Sequence, residues 1–248
     1  MRIFVRLFLS VGLTLSLVGC GDSESGGSGG TAGSGGSGGA GGSGGSSMVT
    51  VTGTVSAAAL DGNSTPVEGA TVSVVGTSNT ATTDAGGNFS VMAPTGTVMF
   101  LNTAAGNWGS LFAENVPAGG LAGLDVEVIP DALVDAISDA LVTTADTSRG
   151  LVAVTFDETT TVGGETASIS AASETSFVFD DLDEPVEGDT LVAGGGSEVI
   201  FFNVDLAGSV SATATSSAFQ PCPLEFPSAT YTVQAKVLTE IDVFCPAP

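Results

Sequence analysis

Val49-Thr50-Val51, Ala70-Thr71-Val72-Ser73-Val74, Phe89-Ser90-Val91 and Leu124-Asp125-Val126-Glu127-Val128 share one pattern, an apolar side chain at every second position. Successive side chains on a strand point to opposite faces, so this alternation describes half-buried strands. Asp61-Gly62-Asn63, Gly86-Gly87-Asn88 and Pro117-Ala118-Gly119-Gly120 punctuate the runs with turn residues. Roughly seven short strands in about 80 residues is the signature of a small β-sandwich.

Three segments within this region carry a resemblance. Val51-Thr52-Gly53-Thr54-Val55, Pro66-Val67-Glu68-Gly69-Ala70-Thr71-Val72 and Thr83-Asp84-Ala85-Gly86-Gly87-Asn88-Phe89 follow one another in the order seen in the carboxypeptidase regulatory-like domain, which residues 48–130 resemble. The resemblance implies a transthyretin-like sandwich whose residues build the fold and catalyse nothing. Gly69 suits a tight turn before the Ala70–Val74 strand, and Asp84 is placed to accept backbone N–H bonds in the turn leading to Phe89.

Residues 131–147 break the pattern. Leu133, Ala136, Ile137, Ala140 and Leu141 fall at helical spacing, with Asp131, Asp135 and Asp139 opposite. They predict a short amphipathic helix with Asp131 as its N-cap. Strand alternation returns over residues 148–248, in Val152-Ala153-Val154-Thr155-Phe156, Ala167 and Ile169, Phe177 and Phe179, Val199 and Phe201, and Tyr231 to Val243. Phe201-Phe202-Asn203-Val204 before Gly208 echoes Phe112-Ala113-Glu114-Asn115-Val116 before Gly119, so a second, related sandwich is expected. The fold class read from the sequence is all-β, tandem transthyretin-like or Ig-like sandwiches with one short connecting helix.

The N-terminus gives location. Arg2 and Arg6 precede an apolar run from Leu7 to Val18, which closes in Leu17-Val18-Gly19-Cys20. The run is shorter than the roughly 20 residues a spanning helix needs, and the pattern resembles a bacterial lipoprotein signal peptide. The resemblance implies cleavage after residue 19 and acylation of Cys20, a membrane anchor through lipid (palmitate among its chains). Gly21, where an aspartate favours inner-membrane retention in some bacteria, points to the outer membrane. Residues 20–47 are the lipidated cysteine and a Gly/Ser-rich linker with nothing to bury, a coil with an r.m.s. span of about 30 Å.

The whole chain carries a net charge of −23 and no histidine. Without residues 1–19, Arg149 and Lys236 remain against 27 acids. Such a surface repels nucleic acid and anionic head groups. With Cys20 lipidated, Cys222 and Cys245 remain as a pair for a disulfide in an oxidising compartment. A metal site between them is the weaker reading, for want of histidine and of a CxxC motif.

Catalytic chemistry finds little support. Histidine-assisted nucleophiles are excluded. A Ser–Lys dyad, or a Lys–Asn isopeptide, would have to use Lys236, which lies in an apparent alternating strand over Thr232–Val237 and is expected to face solvent. Asp180, Asp181 and Asp183 form the densest acid cluster, a weak Ca²⁺ candidate without a DxDxDG loop. Asn107 and Trp108, flanked by Gly106 and Gly109, form a candidate sugar-stacking platform. The expectation is a non-enzymatic, lipid-anchored envelope protein without cofactors, acting on an unidentified protein or polysaccharide, with a carbohydrate- or Ca²⁺-binding surface module as the alternative. Cys20→Ser in the full chain is expected to move the protein from the detergent phase to the aqueous phase in a detergent-partition assay.

Overall fold

The structure, a computed structural model, describes residues 47–59, 64–156 and 162–245. The leader, Cys20, the linker up to residue 46 and the Asp61-Gly62-Asn63 turn lie outside them. The first half comprises β1 (Met48–Ala57), β2 (Thr65–Pro66), β3 (Thr71–Val74), β4 (Thr80–Thr82), β5 (Asn88–Pro94), β6 (Gly96–Thr103), β7 (Asn107–Val116) and β8 (Leu121–Pro130), followed by helix α1 (Asp131–Ala140). The second half comprises β9 (Gly150–Phe156), β10 (Thr166–Ile169), β11 (Thr175–Phe179), β12 (Pro185–Glu187), β13 (Glu198–Val204), β14 (Ala207–Val210), β15 (Ala212–Thr215), β16 (Pro221–Cys222), β17 (Tyr231–Val233) and β18 (Val237–Val243). The described residues are all-β with one helix.

In the first half the alternating residues do what the sequence predicts. Val51 and Val55 of β1, Phe89 and Val91 of β5, and Val126 and Val128 of β8 meet Val72 and Val74 of β3, Phe100 of β6 and Phe112 of β7 in one core. The sheets are β5-β1-β8 and β4-β3-β6-β7. Gly69 has φ +76°, and Asp84 Oδ1 accepts the N–H groups of Gly86 and Asn88 at 2.8 and 2.9 Å. These bonds, that of Asn88 first, hold the Asp84 carboxyl below its ordinary range.

The join between the halves differs from the expectation. The sheet runs continuously β12-β11-β13-β9-β18-β7-β6-β3-β4. β18 lies parallel to both neighbours, pairing Thr239 with Leu111 of β7 and with Val152 of β9. The sandwiches are therefore fused through the C-terminal strand, while α1 packs as a cover. Val152, Val154, Val199 and Ile241 face a core closed by β10, β14, β15, β16 and β17. Leu151, Ala153, Ile200 and Leu238 face the other way, against Trp108, Ile129 and the α1 residues Leu133 and Val134. A strand buried on both faces reads as a nearly continuous apolar run, as Leu151-Val152-Ala153-Val154 does.

Two local expectations are corrected. Pro130, not Asp131, holds the N-cap position of α1, without a side-chain cap bond, because the Asp131 carboxylate pairs with Lys236 Nζ at 2.9 Å. Lys236 is not in a strand: β17 ends at Val233, and Lys236 sits at φ +58° in the turn before β18. Its N–H donates to the Arg149 carbonyl at 2.8 Å and its carbonyl accepts from Gly109 N–H at 3.0 Å, so this turn touches the starts of β9 and β7. The nearest acyl partner of its amine is thus Asp131, not an asparagine.

Cys222 and Cys245 form a disulfide across 23 residues. Cys245 lies two residues past the end of β18, so the bond pins this strand to the small sheet β10-β15-β16 and contributes about 3 kcal/mol by loop-closure entropy. The seam is also close-packed: a Cβ on Gly150 would lie 2.6 Å from Val233 Cγ1 and 2.7 Å from the Gln234 carbonyl oxygen. Gly150→Ala is expected to cost about 1–3 kcal/mol of stability. Gly208→Ala, whose Cβ would meet nothing within 4 Å, is expected to be neutral or slightly stabilising. Urea unfolding of both variants checks this.

Candidate functional site

At one end of the second half, three connections stand together as a crown. The β11–β12 turn is built by Asp180, whose Oδ1 accepts the N–H groups of Leu182 and Glu184, each at 2.9 Å. This Asx turn sets Asp183 at φ +60° and leaves Leu182 69 % exposed. In the β12–β13 connection Gly196 N–H donates to the Phe179 carbonyl at 3.0 Å, and a Cβ on Gly194 would lie 3.5 Å from Asp181 Cβ, which places the two loops side by side. Gly164 then bridges to the third turn: its N–H donates to the Leu191 carbonyl at 2.8 Å, and a Cβ there would lie 3.5 Å from Ser217 Cβ.

That third turn, between β15 and β16, is closed by Ser216 N–H donating to the Gln220 carbonyl at 2.8 Å and by Gln220 N–H donating to Ser216 Oγ at 3.1 Å. At its tip Phe219 has φ +59° and is 87 % exposed. A bulky side chain in the left-handed region costs roughly 1–2 kcal/mol. An aromatic ring left in water also forgoes the burial that phenylalanine usually gains. Two unfavourable choices at one residue are informative about function, since strain of this kind concentrates at binding and switching sites. Val192 in the β12–β13 connection and Val162, two residues before Gly164, are exposed as well.

The acid cluster of the β11–β12 turn thus has a structural use, with Asp180 as the turn's hydrogen-bond acceptor. Among the described residues no three His, Cys, Asp or Glu side chains are arranged to hold a metal ion. The sugar platform is not where the sequence suggested. Trp108 is 1 % exposed, packed against Ile129, Leu133 and Leu238. Its ring is taken by the helix-covered core and offers no face to a pyranose. Asn107 Nδ2 donates to the Ala105 carbonyl at 2.9 Å, closing its own turn.

A shallow groove follows α1, lined by Thr143, Asp146, Glu174 and Asn203 among others. Its polar atoms serve the fold. Asn203, buried at φ +49°, accepts Asp146 N–H at 2.8 Å through Oδ1 and donates from Nδ2 to the Thr144 carbonyl and to Glu174 Oε2, both at 2.8 Å. Glu174 is held below its ordinary range by that bond and by the Thr143 hydroxyl. Arg149 Nη1 donates to the Asn203 carbonyl at 2.8 Å, and Nη2 pairs with Asp205 at 2.8 Å. The network ties the helix connector to β13.

No family model and no curated protein matches the sequence. Among solved structures the chain is similar to a type II cohesin–X-dockerin complex from Acetivibrio cellulolyticus, at 20 % identity over 40 % of this chain and 76 % of that one, with a TM-score of 0.28. It is similar also to the Bacillus anthracis TIE protein, at 13 % identity over 80 % of this chain, spanning 34 % of that protein, with a TM-score of 0.29. A third is the shaft pilin SpaA of Lactobacillus rhamnosus GG, at 14 % identity over 82 % and 99 % of the two chains, with a TM-score of 0.25. Likenesses of this size carry no argument about partners or activity.

The strain at the crown is measurable. Phe219→Gly is expected to raise the unfolding free energy by about 1 kcal/mol, because glycine adopts this φ without steric cost. The urea midpoint checks it.

Proposed function

We propose that this protein is a lipid-tethered, non-catalytic interaction module of the bacterial cell envelope, which docks a protein partner on the crown of its second half. The observation that carries this reading is Phe219, 87 % exposed on a left-handed backbone, beside loops that also expose Leu182. Charge selects the kind of partner. Asp180, Asp181, Asp183 and Glu184 share the β11–β12 turn with the exposed Leu182, and the whole chain carries −23. A surface with an apolar pocket rimmed by lysine and arginine is its electrostatic complement. The Gly/Ser-rich linker has no apolar side chain larger than those of Ala32 and Ala40 with which to cover the crown.

The lipoprotein-like leader supports the tether, and the Gly/Ser-rich composition of residues 21–47 suits a linker that gives the folded part reach. The resemblance of residues 48–130 to the carboxypeptidase regulatory-like domain, an accessory fold, supports a spacer role for the first half. Burial of Trp108 removes the observation that favoured polysaccharide, so protein is the preferred partner class.

A photo-crosslinking residue placed at 219 of the full chain in its native cells tests the proposal, with position 75, an exposed valine of the first half, as the control. A discrete adduct from position 219 only, lost when Leu182→Ser and Asp181→Asn are added without a change in Tm, is the expected result. Equal labelling from both positions, or an adduct indifferent to the crown substitutions, would overturn it.

A further inference from the structure

The seam strand β18 carries an acid where a core residue belongs. Glu240 is 5 % exposed. It lies laterally beside Ala153 of β9, which in turn pairs with Ile200 of β13. By strand alternation it shares the face of Leu238, a member of the helix-covered core. In the next row Asp242 pairs with Thr155, and Thr155 with Glu198, itself buried. Among the described residues, the charged groups facing Glu240 are Asp242 of its own strand, Glu198 of β13 and Glu127 of β8. Asp242 in turn faces Glu225 and Glu114 of β7. β9 contributes only Ala153 and Thr155 to these rows. Glu127 Oε2 is buried without a hydrogen-bond partner.

Among the described residues no cation lies beside Glu240, Asp242 or Glu127. The described residues contain two basic side chains, and both sit at the opposite end of the parallel pair: Arg149 directly before β9 and Lys236 directly before β18. Each is already engaged, with Asp205 and Asp131 respectively. Four residues of strand put Lys236 about 13 Å from Glu240. Nor are the acids arranged as a metal cage.

We propose that the seam between the two halves is a proton-dependent joint: protons on Glu240, Asp242 and Glu127 keep β18 seated between β7 and β9, and their loss loosens it. The chemistry follows from burial. A carboxylate in an apolar layer lacks its hydration, and neighbouring carboxylates repel it, so the neutral acid is favoured. Desolvation pushes Asp242 and Glu127 to about 7, and Glu240 well above the usual carboxylate range, with Asp242, Glu198 and Glu127 adding to the rise. In the unfolded chain the same groups ionise near 4. Between the two values the folded state binds more protons, so stability falls as pH rises, and the loss is complete only above the folded values.

The test is thermal and urea unfolding of the full chain from pH 5 to pH 8 at fixed ionic strength, with Glu240→Gln beside the wild type. For each proton held by the folded state alone, the unfolding constant of the wild type should rise about tenfold per pH unit. Glu240→Gln should remove about one proton from that slope. Hydrogen–deuterium exchange, corrected for intrinsic rates, places the effect: the β18 amides should lose protection from pH 5 to pH 8 while those of β5 keep theirs. A flat or rising stability profile in the wild type, an unaltered slope in a folded Glu240→Gln, or equal loss of protection in β5 and β18 would each overturn the joint. Should Glu240→Gln fail to fold, the wild-type profile and exchange decide alone.

Discussion

One strand holds this molecule together. β18 makes no hairpin with either of its sheet neighbours; both run parallel to it, and each belongs to a different half. Parallel neighbours cannot be reached by a short turn, so their pairing brings together residues far apart in the chain. Leu111 and Thr239 are in register across the whole of the intervening second half. The first sandwich can close its own core without β18, but the buried face of β7 at Trp108 needs Leu238 and α1 to cover it. The two halves are thereby one structural unit rather than beads, and the disulfide at Cys245 fastens the last residues of that unit to β16.

Charge follows the same strand. The only two cations among the described residues stand at the start of the β9–β18 pair. Their backbones are bonded to each other there, Lys236 N–H to the Arg149 carbonyl at 2.8 Å, while their side chains reach outward to Asp131 and Asp205. Partly exposed pairs of this type contribute about 0–1 kcal/mol each, so their value is positional: they fix the helix start and the β13–β14 turn against the seam. The price of that arrangement is an opposite end with acids alone.

The first half was legible because its strands have one polar face, and the period of two survives in β1, β3, β5 and β8. The second half was legible as strands but not as a sheet order. Nothing in Thr232-Val233-Gln234-Ala235-Lys236-Val237 marks a turn: it contains no glycine, proline, asparagine or aspartate, and lysine takes the left-handed position because the flanking strands β17 and β18 fix it. Glu240 and Asp242 alternate with Ile241 and Val243 as a solvent-facing row would, and only burial of the sheet on both faces changes their meaning. Trp108 between two glycines looked like a surface turn, although it opens β7 and is covered by α1. Phe219 carried no periodic signal; its place at a turn tip, Ser216-Ser217-Ala218-Phe219-Gln220, was the sole hint.

The docking proposed for the crown requires a rigid base under its exposed tip, and the crown meets that condition. Phe179 ends β11 inside the helix-covered core, packed edge-on to Phe177 at 5.5 Å between ring centres. Its carbonyl holds Gly196 at 3.0 Å, so the β12–β13 loop rests directly on that core. Cys222, on the strand that leads away from Phe219, is bonded to Cys245 at the end of β18. Both supports restrict the turns before any partner arrives. Ordering an immobilised side chain costs about 0.5–1.5 kcal/mol on association. A tip whose backbone is already fixed by its own strands forgoes part of that cost, and strain at Phe219 is the form in which the fold carries it beforehand.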